Sequence, residues 1–268
     1  VYDIAMSPIS NHWQQLLAGE AENIAWLRAS AAPQLAEIAA IIQSQQRPGD
    51  GLIFVEPKLL YEVLAADLPS AYGLPYNVDP ADELAQTLFA AAIDGAERLW
   101  LLTWYAPGDP ANWYEAELRQ EWASISDQWL GPYRLILLAR PPATDGTPTP
   151  ENVPFEAITL TETHRQATED TLFVTLTWQA TEPLAADYVS FVHLVDADGN
   201  LIAQQDRPPL AGYRPTSSWA AGEPVVDRFA FVLPPEQLAA ARVLVGWYAW
   251  PSQERLTLAD GADAYELR

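Results

Sequence analysis

The chain has 268 residues, 49% of them hydrophobic and 19% charged, so it carries enough apolar material for folded cores and is not a disordered tract. Acids outnumber bases 36 to 14, a net charge of −22 that repels phosphate backbones and anionic lipid, so no nucleic-acid partner is expected. The absence of cysteine excludes disulfides, thiolate metal sites and cysteine nucleophiles, and three histidines (His12, His164, His193) leave little for a histidine site, so neither a metal nor a cofactor is expected.

The longest apolar runs, at residues 99–104 and 135–139, fall short of the ~20 residues that cross a bilayer. The chain starts at Val1, its single methionine is Met6, and no signal-peptide pattern is present, which reads as an excised piece of a longer protein. Trp13, Leu16, Leu17, Trp26 and Leu27 suit a helix that docks on the domain or leads up to a membrane. After Pro33, the residues Leu35, Ile38, Ala39 and Ile42 recur at helical spacing, and Arg47-Pro48-Gly49-Asp50 stops that helix. Residues 52–55 form a short apolar strand, followed by Glu56-Pro57. Helical patterns follow at 59–66 and at 82–93, where Leu84, Leu88 and Phe89 are expected to face inward. A buried strand at 99–103, a helix at 112–122 and a strand at 133–139 complete an alternation that predicts an α/β domain over residues 1–140 with a mainly parallel sheet.

Residues 141–154, PPATDGTPTPENVP, hold five prolines and almost nothing apolar, and read as a linker. The acidity does not change across it, since residues 1–140 and 141–268 each carry 18 acids and 7 bases. Beyond it the period becomes two. Leu172, Val174, Leu176 and Trp178 alternate with Phe173, Thr175 and Thr177. A second run, 189–195, turns at Asp198-Gly199 into 201–205, and 225–233, 242–249 and 256–258 follow, with one helical stretch at 236–240. About seven strands predict an antiparallel immunoglobulin-like β-sandwich over residues 155–268, and hence a two-domain α+β chain.

Chemistry is harder to place. Carboxylates are so plentiful that no catalytic pair can be picked from them. Gly-x-Gly-x-x-Gly, Walker and Gly-x-Ser-x-Gly patterns are missing, so no catalytic residue is assigned. In open α/β sheets ligands sit beyond the carboxyl ends of the strands. Here those ends bring Glu56 and Trp104, with Asp109 behind and Tyr72 and Tyr76 on the loop between. Aromatic rings beside carboxylates suit a sugar, which packs a C–H face on a ring and hydrogen-bonds through its hydroxyls. The alternative is loop packing, with Glu56 capping a turn. In the second domain Trp178 and Trp247 lie on the core phase, and His193 reads as a hydrogen-bonded core residue. The 206–223 loop holds aromatic residues outside any alternation, so Tyr213 and Trp219 are candidate stacking surfaces and Asp206 and Arg214 candidate hydrogen-bonding groups, stiffened by Pro208, Pro209 and Pro215. Its alternative is an ordered crossover covering the sandwich edge.

Two stretches carry a resemblance. IIQSQQRPGDGLIFVEP with ERLWLLTWYAPGDP resembles the soluble region after the last membrane helix of bacterial GT-C class, dolichyl-phosphate-mannose mannosyltransferase-like glycosyltransferases. YVSFVHLVDADGNLIAQQDRPPLAGYRPTSSWAAGEPVVDRFAFVLP with VLVGWYAWPSQERLTL is similar to a β-sandwich module at the C-termini of such enzymes. The resemblance implies a non-catalytic, extracytoplasmic accessory region, attached to the membrane through the parent's upstream part. Its implied partners are a carbohydrate or glycan acceptor and the parent's membrane domain. The family's catalytic motifs belong to that membrane domain and have no counterpart here. The alternatives are a structural or protein-interaction module without a small ligand, and a free-standing carbohydrate-active hydrolase.

Overall fold

A computed structural model describes residues 21–55, 71–75, 77–143 and 147–267, with the backbone alone for 21–32. Helix α1 (Ala21–Gln45) runs through Pro33 instead of starting after it. Leu35, Ile38 and Ile42 are all buried, the i, i+3, i+7 face that the spacing predicts. Its stop is built around one carboxylate. Gly49 takes φ +89°, Asp50 N–H donates to Arg47 O, and Asp50 Oδ2 accepts from Arg47 N at 3.1 Å and from Trp100 Nε1 at 3.1 Å. Asp50 Oδ1 lies 3.3 Å from Arg98 Nε, and Arg98 Nη2 donates to Gln45 O, one of the orphan carbonyls of the helix end.

Strand β1 (Gly51–Phe54) pairs in parallel with β2 (Ala71–Gly73) and β3 (Arg98–Thr103). Every residue of β1 is buried, as a strand covered on both faces requires. Helix α2 (Glu83–Ile93) is capped by Asp82, whose Oδ1 accepts from Ala85 N at 2.8 Å. It buries Ala85, Leu88 and Ala92, whereas Leu84, expected inward, is 51% exposed. The two alanines let the helix lie close to β1, and that sets its phase one residue away from Leu84. The helix expected at 59–66 lies outside the described residues.

The chain divides into two compact units, Val1–Trp104 with Gln128–Leu135, and Tyr105–Asp127 with Ile136–Arg268. Strands β4 (Ala123–Leu130) and β5 (Tyr133–Ala139) each belong partly to both. The boundary therefore differs from the expected division at 140. Helix α3 (Trp113–Glu121) groups with the later chain because it packs on strand β11 (Val225–Val232) and on the 3-10 turn Pro209–Gly212. The expected 141–154 linker also ends early. Its last residues form β6 (Thr149–Phe155), which pairs with β7 (Ile158–Ala167).

Within the second unit, β6, β7, β8 (Thr171–Ala180) and β11 run antiparallel in that spatial order, and β4 adds beside β11 in parallel at Ser124 opposite Phe229. A second sheet is antiparallel throughout, in the order β10 (Leu201–Arg207), β9 (Tyr188–Val195), β12 (Arg242–Ala249), β13 (Tyr265–Glu266). The strand expected at 256–258 is a loop, and the sheet closes at β13 instead; Leu256 is buried all the same. Helix α4 (Pro235–Ala240) matches the single helical stretch expected in this part. The two sheets face each other through Leu160, Leu176, Trp178 and Phe229 on one side and Val192, Leu194, Val245 and Trp247 on the other. Trp178 and Trp247 meet edge to face, with centroids 4.9 Å apart at 74°. The chain is thus α+β, with mixed and antiparallel sheets. No described helix is long and apolar enough to cross a membrane.

Candidate functional site

The residues predicted to form a sugar platform on the 206–223 loop are spent on structure. Trp219 is 2% exposed, packs edge to face on Trp247 (5.9 Å, 84°), and donates its indole N–H to Arg214 O at 3.0 Å. Tyr213 is half-buried, and its hydroxyl reaches Glu115 Oε2 at 3.2 Å and Asn112 O at 3.3 Å. Arg214 pairs with Glu223 at 2.6 Å, and that pairing is the main cause holding the Glu223 carboxyl below its ordinary range. The loop makes a left-handed turn at Leu210, Ala211 and Gly212, with φ of 50°, 55° and 92°. Gly108 presses so closely on it that a Cβ there would lie 2.7 Å from Gly212 O. The segment is a crossover sealed against α3, which corrects the platform expectation. Proline and aromatic content signal order here, and the order comes from burial.

Asp206 belongs to β10 and lies on the outer face of the second sheet. Its Oδ1 is 2.9 Å from His193 Nε2, and His193 rests on Phe191 with centroids 4.6 Å apart. Arg255 also lies over the Phe191 ring at 4.6 Å and is tied to Asp263 at 3.1 Å. Burial pushes the Tyr248 hydroxyl above its ordinary range; the charge of Asp206 and a hydrogen bond to it add to the rise, and Arg255 opposes it. His193 is therefore not a core residue of the sandwich interior but part of this outer knot. Gly246 makes room for it, since a Cβ there would lie 2.4 Å from Phe191 Cζ. Each polar group in the knot already has a protein partner.

In the first unit, Trp104 is 37% exposed, and Glu56 and Tyr76 lie outside the described residues. In the second, Asp109 caps its own turn by accepting from Ala111 N at 2.9 Å. Tyr72 sits on β2 and lines a pocket of about 600 Å³ with Arg47, Asp50, Asp94 and Trp100. That pocket opens at the amino end of β1, opposite to the end where a ligand was expected, and its Asp50 is committed to the helix stop.

A different surface gathers polar side chains around one space. On the outer face of the first sheet of the second unit, a trough of about 530 Å³ runs over β7, β8 and β11. Its volume falls within the roughly 300–1,000 Å³ of small-molecule sites. The register sets its floor in two rows. Arg228 lies opposite Thr175, which lies opposite His164; Val226 lies opposite Thr177, which lies opposite Glu162. Strand geometry spaces these positions by about 5 Å across and about 7 Å along the strands. Arg140, Glu121, Pro141 and Pro148 line the same space. Arg228 donates through Nη1 to Gln120 O, which fastens the end of α3 at this edge. Burial lowers the pKa of Arg228, against the opposing charges of Asp227 and Glu121. Arg140 lies over the Trp122 ring at 4.7 Å, and among the described residues no carboxylate pairs with it. His164 is half-buried here. The period-two reading placed Thr175 and Thr177 on the outer face, which was the available signal. The trough itself leaves no further mark in the sequence, because β7, ITLTETHRQA, has no apolar alternation beyond Leu160.

Behind this sheet lies a buried ionic network. Glu115 is fully buried and accepts from Arg119 Nη2 at 3.0 Å; the same nitrogen reaches Asp127 at 2.9 Å. Arg207 Nη1 reaches Asp227 at 2.8 Å and stacks over Phe229 at 4.1 Å. Burial lowers the pKa of Arg207, and Asp227 opposes it. These charges are paired, and all but the exposed Asp127 are enclosed, so they organise packing. Among the described residues no group of three or more His, Asp or Glu side chains could hold a metal ion.

No family model and no curated protein matches the chain. Among solved structures, an endonuclease/exonuclease/phosphatase from Beutenbergia cavernae DSM 12333 is similar over 55% of this chain, at 11% identity and a TM-score of 0.25. The match covers 35% of that protein's length. A likeness this weak carries no argument about function.

Proposed function

We propose that the chain is a non-catalytic, extracytoplasmic accessory region of a GT-C class membrane glycosyltransferase, and that it holds a carbohydrate or glycan acceptor in the trough on its immunoglobulin-like sandwich. The observation that carries the reading is the two-row floor of the trough. It mixes donors (Arg228, His164), a carboxylate acceptor (Glu162) and two hydroxyls that do both (Thr175, Thr177) at strand spacing. Sugar hydroxyls donate and accept at once, so such a grid exchanges hydrogen bonds with water for hydrogen bonds with a sugar at little cost. The floor has no aromatic platform, so affinity is expected near millimolar, about −4 kcal/mol. Attachment to the parent's membrane domain is part of the same proposal, as is an extracytoplasmic setting.

The test is a glycan array on the whole chain, followed by amide-shift mapping by NMR with the best ligand. Shifts centred on Glu162, His164, Thr175 and Thr177 support the reading. Absence of binding at about 10 mM of every glycan tried, or shifts centred elsewhere, overturns it.

A further inference from the structure

Resting on that reading, we infer that the trough selects a glycan carrying a negative charge, with the charged group at the Arg140–Arg228–His164 side. The argument starts from scarcity. The chain holds 14 bases against 36 acids, so an arginine would ordinarily find a carboxylate. Arg98, Arg119, Arg207, Arg214, Arg242 and Arg255 all do. Among the described residues Arg140 has no carboxylate partner; its guanidinium carbon lies 4.7 Å from the centre of the Trp122 ring. Arg140 lines the same space as Arg228 and His164, and Arg228, Thr175 and His164 stand in one cross-strand row. Four donor side chains thus border one volume on the outer face of the sheet.

Of the acids that act on this row, Asp227 is held by Arg207, and Glu121, whose charge also reaches Arg228, is exposed and screened by solvent. Glu162 stands in the other row, where Thr177 Oγ1 lies 3.5 Å from its Oε2. Glu121 is exposed and follows Gln120, whose carbonyl takes Arg228 Nη1. The result is a trough with a donor row anchored by Arg228 and an acceptor row about 7 Å apart along the strands. A ligand that satisfies both must present an anion at one end and hydroxyl donors at the other, and a sugar acid or a sugar bearing a phosphate ester does so. A guanidinium and a carboxylate or phosphate oxygen make charge-assisted hydrogen bonds roughly twice as strong as neutral ones. The net charge of −22 opposes an anion at long range, but at physiological salt the screening length is about 8 Å, and contacts inside the trough decide.

Calorimetric titration of the whole chain with trigalacturonic acid, glucose 6-phosphate, maltotriose and inorganic phosphate tests this. The expected result is that at least one charged sugar binds about tenfold tighter than maltotriose, with the carboxylate and phosphate arms showing which anion is taken. Arg140→Gln with His164→Gln should reduce that ligand to the level of maltotriose, while the thermal melt stays unchanged. Binding of maltotriose as tight as the charged sugars overturns the inference and leaves the carbohydrate reading standing. A charge preference that survives the double substitution overturns it, as does inorganic phosphate binding as tightly as the charged sugars. Failure of all four ligands to bind counts against this inference and, together with an empty array, against the carbohydrate reading itself.

Discussion

Replacing Trp219 by alanine tests whether the 206–223 segment is scaffold. The indole is 2% exposed, meets Trp247 edge to face at 5.9 Å, and donates to Arg214 O at 3.0 Å. Truncating a buried tryptophan costs about 3–5 kcal/mol through lost transfer energy and the cavity left behind. Loss of the hydrogen bond to Arg214 O adds about 1 kcal/mol or less. For a unit of this size each kcal/mol lowers Tm by roughly 2–4 °C, so Trp219→Ala should melt about 6–24 °C below the parent chain. Trp219→Phe keeps an aromatic edge on Trp247 and loses the N–H and part of the volume. It should fall between the two, about 1–2 kcal/mol below the parent. Differential scanning calorimetry with urea unfolding measures both. At a temperature where Trp219→Ala is folded, its glycan binding should match that of the parent. An unchanged melt combined with abolished glycan binding would show an exposed stacking ring and refute the burial argument.

Three further expectations concern the backbone and the charged turns. Gly108→Ala forces a Cβ to 2.7 Å from Gly212 O at a φ of +74° and should cost about 2 kcal/mol or more, whereas Gly199→Ala, at φ +86° with its nearest neighbour at 3.9 Å, should cost only the left-handed penalty of about 1–2 kcal/mol. Equal unfolding midpoints for the two variants would contradict the close approach. Asp50→Ala removes the acceptor of Arg47 N–H and Trp100 Nε1–H and the partner of Arg98, and should cost about 2–3 kcal/mol with faster amide exchange at 47–51; unaltered exchange there would count against the carboxylate as the helix stop. The Asp196 carboxyl is held below the ordinary 3.8 first by the Asn200 side chain and then by the Asn200 N–H, so its contribution is present above that ordinary value and is lost as the pH falls through the lower folded one. An NMR carboxyl titration with a midpoint at or above 3.8 would contradict this.

What could be read ahead of the structure tracks how local its cause is. Asp82 at the start of α2 and Gly49-Asp50 at the end of α1 act through neighbouring residues, and both were legible. So were β8, β9, β11 and β12, where alternation follows directly from one face turned inward. Strand β4, ASISDQWL, was missed because its inner residues are small and its Asp127 is held by Arg119 from α3. Strand β6 hid among prolines, which an edge strand tolerates and a central one does not. The candidate site fared worse. Trp219 and Tyr213 resemble a ligand platform because a tryptophan seated in a core and one presented to a sugar are the same residue in the same kind of loop. What separates them is the ring of Trp247 and the carboxylate of Glu115, respectively 28 and 98 positions away. The trough needs three strands in register before Arg228, Thr175 and His164 become neighbours.

The proline-bearing strand β6 also bears on how the protein behaves in company. It is the last strand of its sheet, with β7 on one side. Two of its seven residues, Pro150 and Pro154, have no N–H to offer. A ladder seeking to grow past this border meets gaps where donors should be, so a neighbouring chain gains little by aligning with it. The register shift between Pro150 and Val153 breaks the repeat a second time. The composition that looked like a spacer between domains therefore works as a terminator, and copies crowded side by side are kept from zipping together along this border.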